Sequence, residues 1–362
     1  MKIAICVHNL ANGGGERVAA ILATGFAERG DEVTAVIADK NDCVEYAISD
    51  KVHIVNIYAE GNAFQRYSMK IQKLRKFIRE NKPDVAIAVM PPFDMWLMIA
   101  TIGTKTKIVD TIHFSLERPK TNPISKQLYF NTFYLSRLFD AVTVLTDVDG
   151  KIMKRINKKC FIMPNPLAFD PKQNYGLKEK VVLASGRLDG WSVKGFDVLI
   201  KAWGNVCEKF PDWRLQIAGR GDDNSKSFLL NLANANGIAD RIDFLGFRQN
   251  IENDYQRASV FVMSSRTEGF SMVLIEAMSQ GCACISCSYK GRQEEIITNE
   301  NEGIICKPDD VGEMSRAIET VLKNEEYRRR LQEGAYIRSS EYSLEKTLNR
   351  WDELFCKIGL KR

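Results

Sequence analysis

Two carboxylates, Glu268 and Glu276, flank a short turn in the run Arg266-Thr-Glu-Gly-Phe-Ser-Met-Val-Leu-Ile-Glu-Ala-Met-Ser-Gln-Gly281. The apolar stretch 258–264 predicts a strand before the turn, and a helix is predicted from about Ser271 to Ser279 with Ser271 as its cap. Gly269 lets the backbone approach a ligand closely. A helix start offers unpaired N–H groups and partial positive charge, which suit a phosphate. Carboxylates on both sides of an anion site fit a ligand with phosphate in the middle and hydroxyl-rich groups at either end. A nucleotide sugar has that form. The plainer alternative is two solvated glutamates. Val273, Leu274, Ile275, Ala277 and Met278 weigh against it, because so apolar a helix is largely buried and a carboxylate within it needs a partner.

Other segments carry compatible chemistry. Gly13-Gly-Gly-Glu-Arg17 follows the first predicted strand, and Gly14 and Gly15 let backbone amides approach a diphosphate or an acceptor. The spacing is not Gly-x-Gly-x-x-Gly, and no ribose-binding acid is evident after a second strand, so a dinucleotide oxidoreductase is a weak rival. Ser185-Gly-Arg-Leu-Asp-Gly-Trp-Ser-Val-Lys-Gly195 brings Arg187, a fork of donors, and Lys194, a point charge, to where both can converge on one diphosphate. Ile217-Ala-Gly-Arg-Gly-Asp222 places Gly219 in a turn at a strand end. His113 lies at or just past the end of the strand 107–112, with Asp110 and Glu117 nearby. Asp147-Val-Asp149 has the form of a manganese motif, but Asp147 reads as the cap of a helix beginning near Val148. Cys282, Cys284 and Cys287 read as a buried strand and not a metal site. No metal and no cofactor is expected.

Positioning these residues takes alternating strands and helices, which predict parallel sheets flanked by helices. Expected strands in the first half are 2–7, 32–38, 52–57, 84–89, 107–112 and 141–145. Expected helices there are 15–29, 67–81, 93–102 and 123–139. Three prolines in 163–172 mark a linker. The pattern restarts with strands 180–185, 215–218, 242–245, 260–263, 282–286 and 303–306. The tail 344–357 has helical spacing through Leu344, Leu348, Trp351, Leu354 and Phe355.

Together these segments resemble the retaining family 4 glycosyltransferases of the GT-B fold, over nearly the whole chain. The resemblance implies two facing Rossmann-like domains with a deep cleft between them: 1–165 on the acceptor side, 166–343 binding the nucleotide sugar, and 344–362 crossing back to the first. It implies that Glu276 binds ribose hydroxyls and Glu268 contacts the donor sugar, with the amides of Phe270, Ser271, Met272 and Val273 meeting sugar and phosphate oxygens. Arg187 and Lys194 would hold the donor diphosphate, and the backbone near Arg248 would read uracil. His113 would touch the donor sugar. Gly13 or Gly14 to Glu16 matches the family's Gly-Gly-x-Glu segment, and Glu16, Asp110 and Glu117 are the acceptor-side candidates. The wording His-Phe-Ser-Leu at 113–116 is similar to bacterial lipopolysaccharide core galactosyltransferases. The expected function is therefore retaining, metal-independent transfer of a hexose, with UDP-galactose as donor, to a lipid-linked, lipopolysaccharide or capsule glycan. UDP-glucose, a UDP-N-acetylhexosamine or GDP-mannose are alternatives, as is a non-catalytic subunit that binds a nucleotide sugar.

Composition sets outer bounds. A chain of 362 residues suggests two domains. The N-terminal run reads as a buried strand and not a signal peptide, and no apolar run reaches the roughly 18 residues of a spanning helix. Nine cysteines at irregular spacing suit a reducing compartment. The expected location is cytoplasmic, with peripheral membrane contact. Net charge is +5, and residues 1–165 hold 23 Lys/Arg against 17 Asp/Glu. Much of the excess sits in 66–79, whose Ile71, Leu74, Phe77 and Ile78 recur at helical spacing. That helix is either a solvated basic face or a surface for anionic lipid. Nucleic acid is not an expected partner, since no binding motif is present.

Overall fold

A computed structural model describes residues 1–11, 13–40, 44–119, 123–173 and 178–361. The chain divides into two compact units: Met1–Ala168 together with Tyr342–Arg362, and Phe169–Glu341.

The first unit holds seven parallel strands: β1 (Lys2–Cys6), β2 (Glu32–Ile37), β3 (His53–Asn56), β4 (Val85–Val89), β5 (Lys107–Ile112), β6 (Ala141–Val144) and β7 (Cys160–Ile162), in the order β3-β2-β1-β4-β5-β6-β7. Strands β1, β4, β5 and β6 are almost wholly buried, which explains their mainly apolar sequences, interrupted by Asp110 and Thr111 in β5 and Thr143 in β6. The short strand β7 was not expected, because three residues give too little pattern to read. Helices Ala63–Asn81 and Phe93–Ala100 join segment 126–138 in one apolar core through Leu74, Phe77, Trp96, Leu97, Phe133 and Leu135. The expected helix 123–139 is two pieces: an α-helix at Lys126–Phe133, capped by Ser125, and a 3-10 turn at Leu135–Leu138. The tail helix Leu344–Lys357 packs on helix Gly14–Glu28. There Phe26 meets the rings of Trp351 and Phe355, with centroids 6.1 and 5.8 Å away.

The second unit holds β8 (Glu179–Ser185), β9 (Arg214–Ala218), β10 (Ile242–Gly246), β11 (Ala258–Met263), β12 (Ala283–Cys287) and β13 (Ile304–Cys306), all parallel, in the order β10-β9-β8-β11-β12-β13. The chain steps outward from β8 to β10, then returns to β11 on the other side of β8. That reversal opens a crevice at the carboxyl ends of β8 and β11, where ligands of such sheets bind. The unit's core runs from Val182 and Leu199 through Trp203 and Ile285 to Ile318 and Leu331.

Among the described residues no helix is long and apolar enough to cross a membrane.

Candidate active site

The carboxyl end of β8 releases the segment bearing Arg187 and Lys194, and the carboxyl end of β11 releases the segment bearing Glu268. Hydrogen bonds to main-chain carbonyls tie the two together. Arg266 N donates to Val193 O at 2.8 Å, and Ser264 Oγ donates to Lys194 O at 2.9 Å. Gly195 makes this approach possible: its φ is 66°, and a Cβ there would lie 2.0 Å from Ser264 O. At the junction the Lys194 ammonium pairs with the Glu268 carboxylate at 2.9 Å, both partly shielded (26% and 18% exposed). The two residues the sequence had placed 74 positions apart are thus one charge pair at the sheet's reversal point.

Arg187 is the more open of the two cations. Its side chain is 75% exposed and has Asp189 at 3.8 Å. Lys194 is held by Glu268, so the two cations do not share one anionic partner here. The turn after β9 comes equally close to the β8 segment. Gly219 N donates to Gly246 O, Leu188 N donates to Arg220 O, and a Cβ on Gly219 would fall 1.8 Å from Gly186 O. Arg248, beyond β10, forks onto the buried Asp254 carboxylate at 2.8 and 3.1 Å.

The helix after the turn starts at Met272 and ends at Ser279. Ser271 occupies its N-cap position but does not cap it, because its hydroxyl is turned to Met263 Sδ at 2.8 Å. The first-turn amides therefore receive no side-chain cap and keep their donors for another acceptor. Phe270 is buried, Gly269, Met272 and Val273 are partly exposed, and Glu276 is 1% exposed.

One residue that sequence reasoning passed over organises this region. Arg266 forks onto Asp197 at 2.7 and 2.8 Å, donates to Ser192 O at 2.6 Å and reaches Asp309 at 2.5 Å. Its carboxylate partners push the guanidinium pKa further up. It locks the β11 turn to the segment carrying Lys194. The signal was faint, since Arg266 begins the motif but its partners lie 43 and 69 residues away.

In the first unit the reversal point lies between β1 and β4, and Gly13–Gly15 leaves β1 there. Helix Gly14–Glu28 begins one residue earlier than expected. A Cβ on Gly15 would meet the Met90 side chain at 3.1 Å, whereas Gly14 faces open space. Glu16 is partly exposed and its carboxylate lies over Gly13. Glu117 is also partly exposed. Asp110 is buried inside β5 rather than open to an acceptor. Burial, then the Asp94 carboxylate, raises its pKa well above the usual range, which favours the protonated form.

His113 is turned into its own unit. Thr111 Oγ1 donates to Ala88 O at 2.8 Å, so it accepts from His113 Nε2–H at 2.9 Å, which fixes the tautomer. Nδ1 is buried, and the ring lines a small pocket with Asn165, Thr347 and Trp351. Burial lowers the imidazole pKa to about 4, so the ring is neutral at pH 7.

Two motifs set aside in the sequence have structural partners. Thr146, not Asp147, caps helix Asp147–Lys154: its hydroxyl oxygen accepts from Asp149 N and its hydroxyl donates to Asp149 Oδ2. A side chain that can reach N3 and be answered by the N3 residue outcompetes the one at N1. Cys282, Cys284 and Cys287 are buried thiols donating to separate carbonyls, and burial raises the pKa of each. Among the described residues no group of three His, Cys, Asp or Glu converges as a metal site.

Residues 12–169 match the family described as Glycosyltransferase Family 4, and residues 168–338 match Glycosyl transferases group 1. The chain belongs to the family 4 type of glycosyltransferases. Full-length relatives of this glycosyltransferase include an uncharacterized glycosyltransferase of Haemophilus influenzae, 26% identical over 97% of this chain and 98% of its own. Another is a Campylobacter jejuni enzyme named GalNAc-alpha-(1->4)-GalNAc-alpha-(1->3)-diNAcBac-PP-undecaprenol alpha-1,4-N-acetyl-D-galactosaminyltransferase, 25% identical over 99% of both chains. Among solved structures, Anabaena HepE in complex with UDP superposes with a TM-score of 0.80 at 17% identity, covering 98% of this chain and all of that one. Each of the two units of this glycosyltransferase is thus a parallel-sheet, Rossmann-like domain of the kind found in GT-B structures.

Proposed function

We propose that this glycosyltransferase moves a galacto-configured hexose, galactose or its N-acetylamino form, from a UDP donor to a lipid-linked or surface-polysaccharide glycan. Transfer is retaining and needs no metal. The carrying observation is the Lys194–Glu268 pair beside the uncapped start of helix Met272–Ser279, at the β8/β11 reversal point. A donor diphosphate can take Lys194 from Glu268 and accept the free first-turn amides, while Glu268 turns to the hydroxyls of the sugar. Arg187, exposed and able to swing, adds a second cation. These groups stabilise the charge that grows on the leaving diphosphate. The bond from the anomeric carbon to the phosphate oxygen breaks as the acceptor oxygen bonds to the same face, and the acceptor proton passes to the leaving phosphate. His113 takes no part in that proton transfer, since a ring with a pKa near 4 is neither an acid nor a strong base at pH 7.

The UDP preference is supported by the UDP-bound HepE of the same fold. The acceptor class and galacto configuration are supported by two Campylobacter jejuni relatives whose names specify N-acetylgalactosamine transfer onto undecaprenol-diphosphate glycans. The test is donor turnover in EDTA across UDP- and GDP-sugars, comparing wild type with Glu268→Ala. Nucleotide release from UDP-galactose or UDP-N-acetylgalactosamine, lost in the variant, is the expected result. Turnover confined to a GDP-sugar, or abolished by EDTA, overturns the reading.

A further inference from the structure

The basic helix read from sequence as a lipid-facing surface spends much of its charge on its own unit. Lys70 Nζ donates to Ala38 O, Lys73 Nζ donates to Tyr58 O, and Arg75 donates to Ile99 O and Ala100 O. Arg66, Lys76 and Arg79 remain exposed. A second feature lies on the same helical layer. Asn131 of helix Lys126–Phe133 bonds Asp94 of helix Phe93–Ala100 at 3.0 Å, and that helix packs along Ala63–Asn81, with Trp96 against Tyr67. The outer side of segment 126–138 shows Tyr129, Phe130, Tyr134 and Leu138, which are 49%, 57%, 53% and 68% exposed. Phe130 stacks on Tyr134 with ring centroids 5.7 Å apart, and Arg137 lies over the Tyr134 ring.

This layer gathers the apolar surface of its unit. Of nine large apolar side chains exposed among the described residues there, seven lie on it, including Phe64, Met69 and Ile102. Charge on the outer segment is one-sided as well: residues 123–139 hold Lys126 and Arg137 and no Asp/Glu. Apolar and tyrosine rings edged by basic residues, with no acid among them, match the boundary of an anionic bilayer. Phe and Leu can enter the acyl region while Tyr hydroxyls and Lys/Arg stay at the headgroups.

We infer that segment 126–138, and not the charge of helix 63–81 alone, docks this protein on an anionic membrane surface by inserting Phe130, Tyr134 and Leu138, with Lys126 and Arg137 on the headgroups. The inference stands on surface chemistry alone, and its readout is independent of the donor and acceptor proposed above. The test is flotation of the full chain with phosphatidylcholine vesicles, with and without about one-third phosphatidylglycerol. Wild type is expected to float with the anionic vesicles. F130S/Y134S/L138S is expected to lose at least tenfold in partitioning with unchanged circular dichroism and melting. K76S/R79S is expected to lose less. F130W, which keeps the ring, is expected to show a blue-shifted emission only when anionic vesicles are added. Failure of the wild type to float, or flotation of the triple variant at the wild-type level, overturns the inference. So does a wild-type dimer dispersed by the triple substitution without any vesicle binding, which would assign the patch to a second copy of the chain.

Discussion

Lys194 and Glu268 form the pair on which the proposed chemistry rests, and each protects the other from an unpartnered, half-buried charge. Removing either is expected to affect chemistry more than folding. Lys194→Ala should lower kcat on the order of 100-fold or more, the effect of removing one donor to a developing anion. Its cost in stability should be about 1 kcal/mol, the scale of losing one partly shielded ion pair. Arg187→Ala should lower kcat with no measurable change in melting, because its side chain is largely in solvent. Turnover and calorimetry on the same samples check both, and unchanged kcat in both variants would remove the diphosphate assignment. His113 gives a pH signature. Its folded pKa of about 4 lies below the ordinary 6.5, so between these values the unfolded chain binds a proton that the folded chain does not. The stability from the neutral ring is full above about pH 6.5 and is lost as pH falls toward 4. The loss should be roughly 2 kcal/mol, below the full linkage value because the ring is only partly shielded. Urea unfolding of wild type and His113→Gln across pH 4.5–7 should show the slope flatten in the variant. Asp110 has the opposite sign. Its folded pKa is raised, so its contribution is present below pH 4 and declines as pH rises toward the folded value. Asp110→Asn should therefore stabilise the protein at pH 7, seen as a higher melting temperature that vanishes near pH 4.

At the scale of elements, the site depends on backbone segments that approach within van der Waals distance. Gly195→Ala would drive a Cβ into Ser264 O and force a left-handed φ on alanine. The expected cost is about 3 kcal/mol, with loss of donor binding even where the protein still folds. Arg266→Ala acts on the same contact from the other side. It leaves Asp197 partly shielded without its fork and frees the β11 turn from the segment bearing Lys194. Its signature is a rise in KM for the donor together with a fall in kcat, because the residue positions the site and need not touch the substrate. An unchanged KM would show that the turn holds its shape without the arginine.

For the whole molecule, the tail helix belongs energetically to the first unit. Trp351 is 1% exposed and packs on Phe26 and Phe355. Trp351→Ala should cost about 3–5 kcal/mol and should shift the unfolding of Met1–Ala168 with its tail, leaving the unfolding of Phe169–Glu341 in place. Hydrogen exchange followed by mass spectrometry can assign the loss of protection to one unit or the other, and equal loss in both would contradict the division.

The sequence by itself determined the two parallel sheets, because buried parallel strands write continuous apolar runs and their helices write a 3.6-residue period. It also determined which segments follow strand ends, and so placed Glu268, Lys194 and Gly13–Gly15 among the candidates. Tertiary structure alone decided the pairings. Glu268 takes Lys194, Arg248 takes Asp254, and Arg266 takes Asp197 and Asp309. Ser271 turns its hydroxyl to Met263 Sδ instead of its helix, and Thr146 displaces Asp147 as a cap. It also decided that three cations of helix 63–81 face backbone carbonyls while the rings of 126–138 face outward. The reason is physical: periodicity is a property of neighbours along the chain, whereas a charge or a cap finds its partner through space, across sequence separations that no local pattern records.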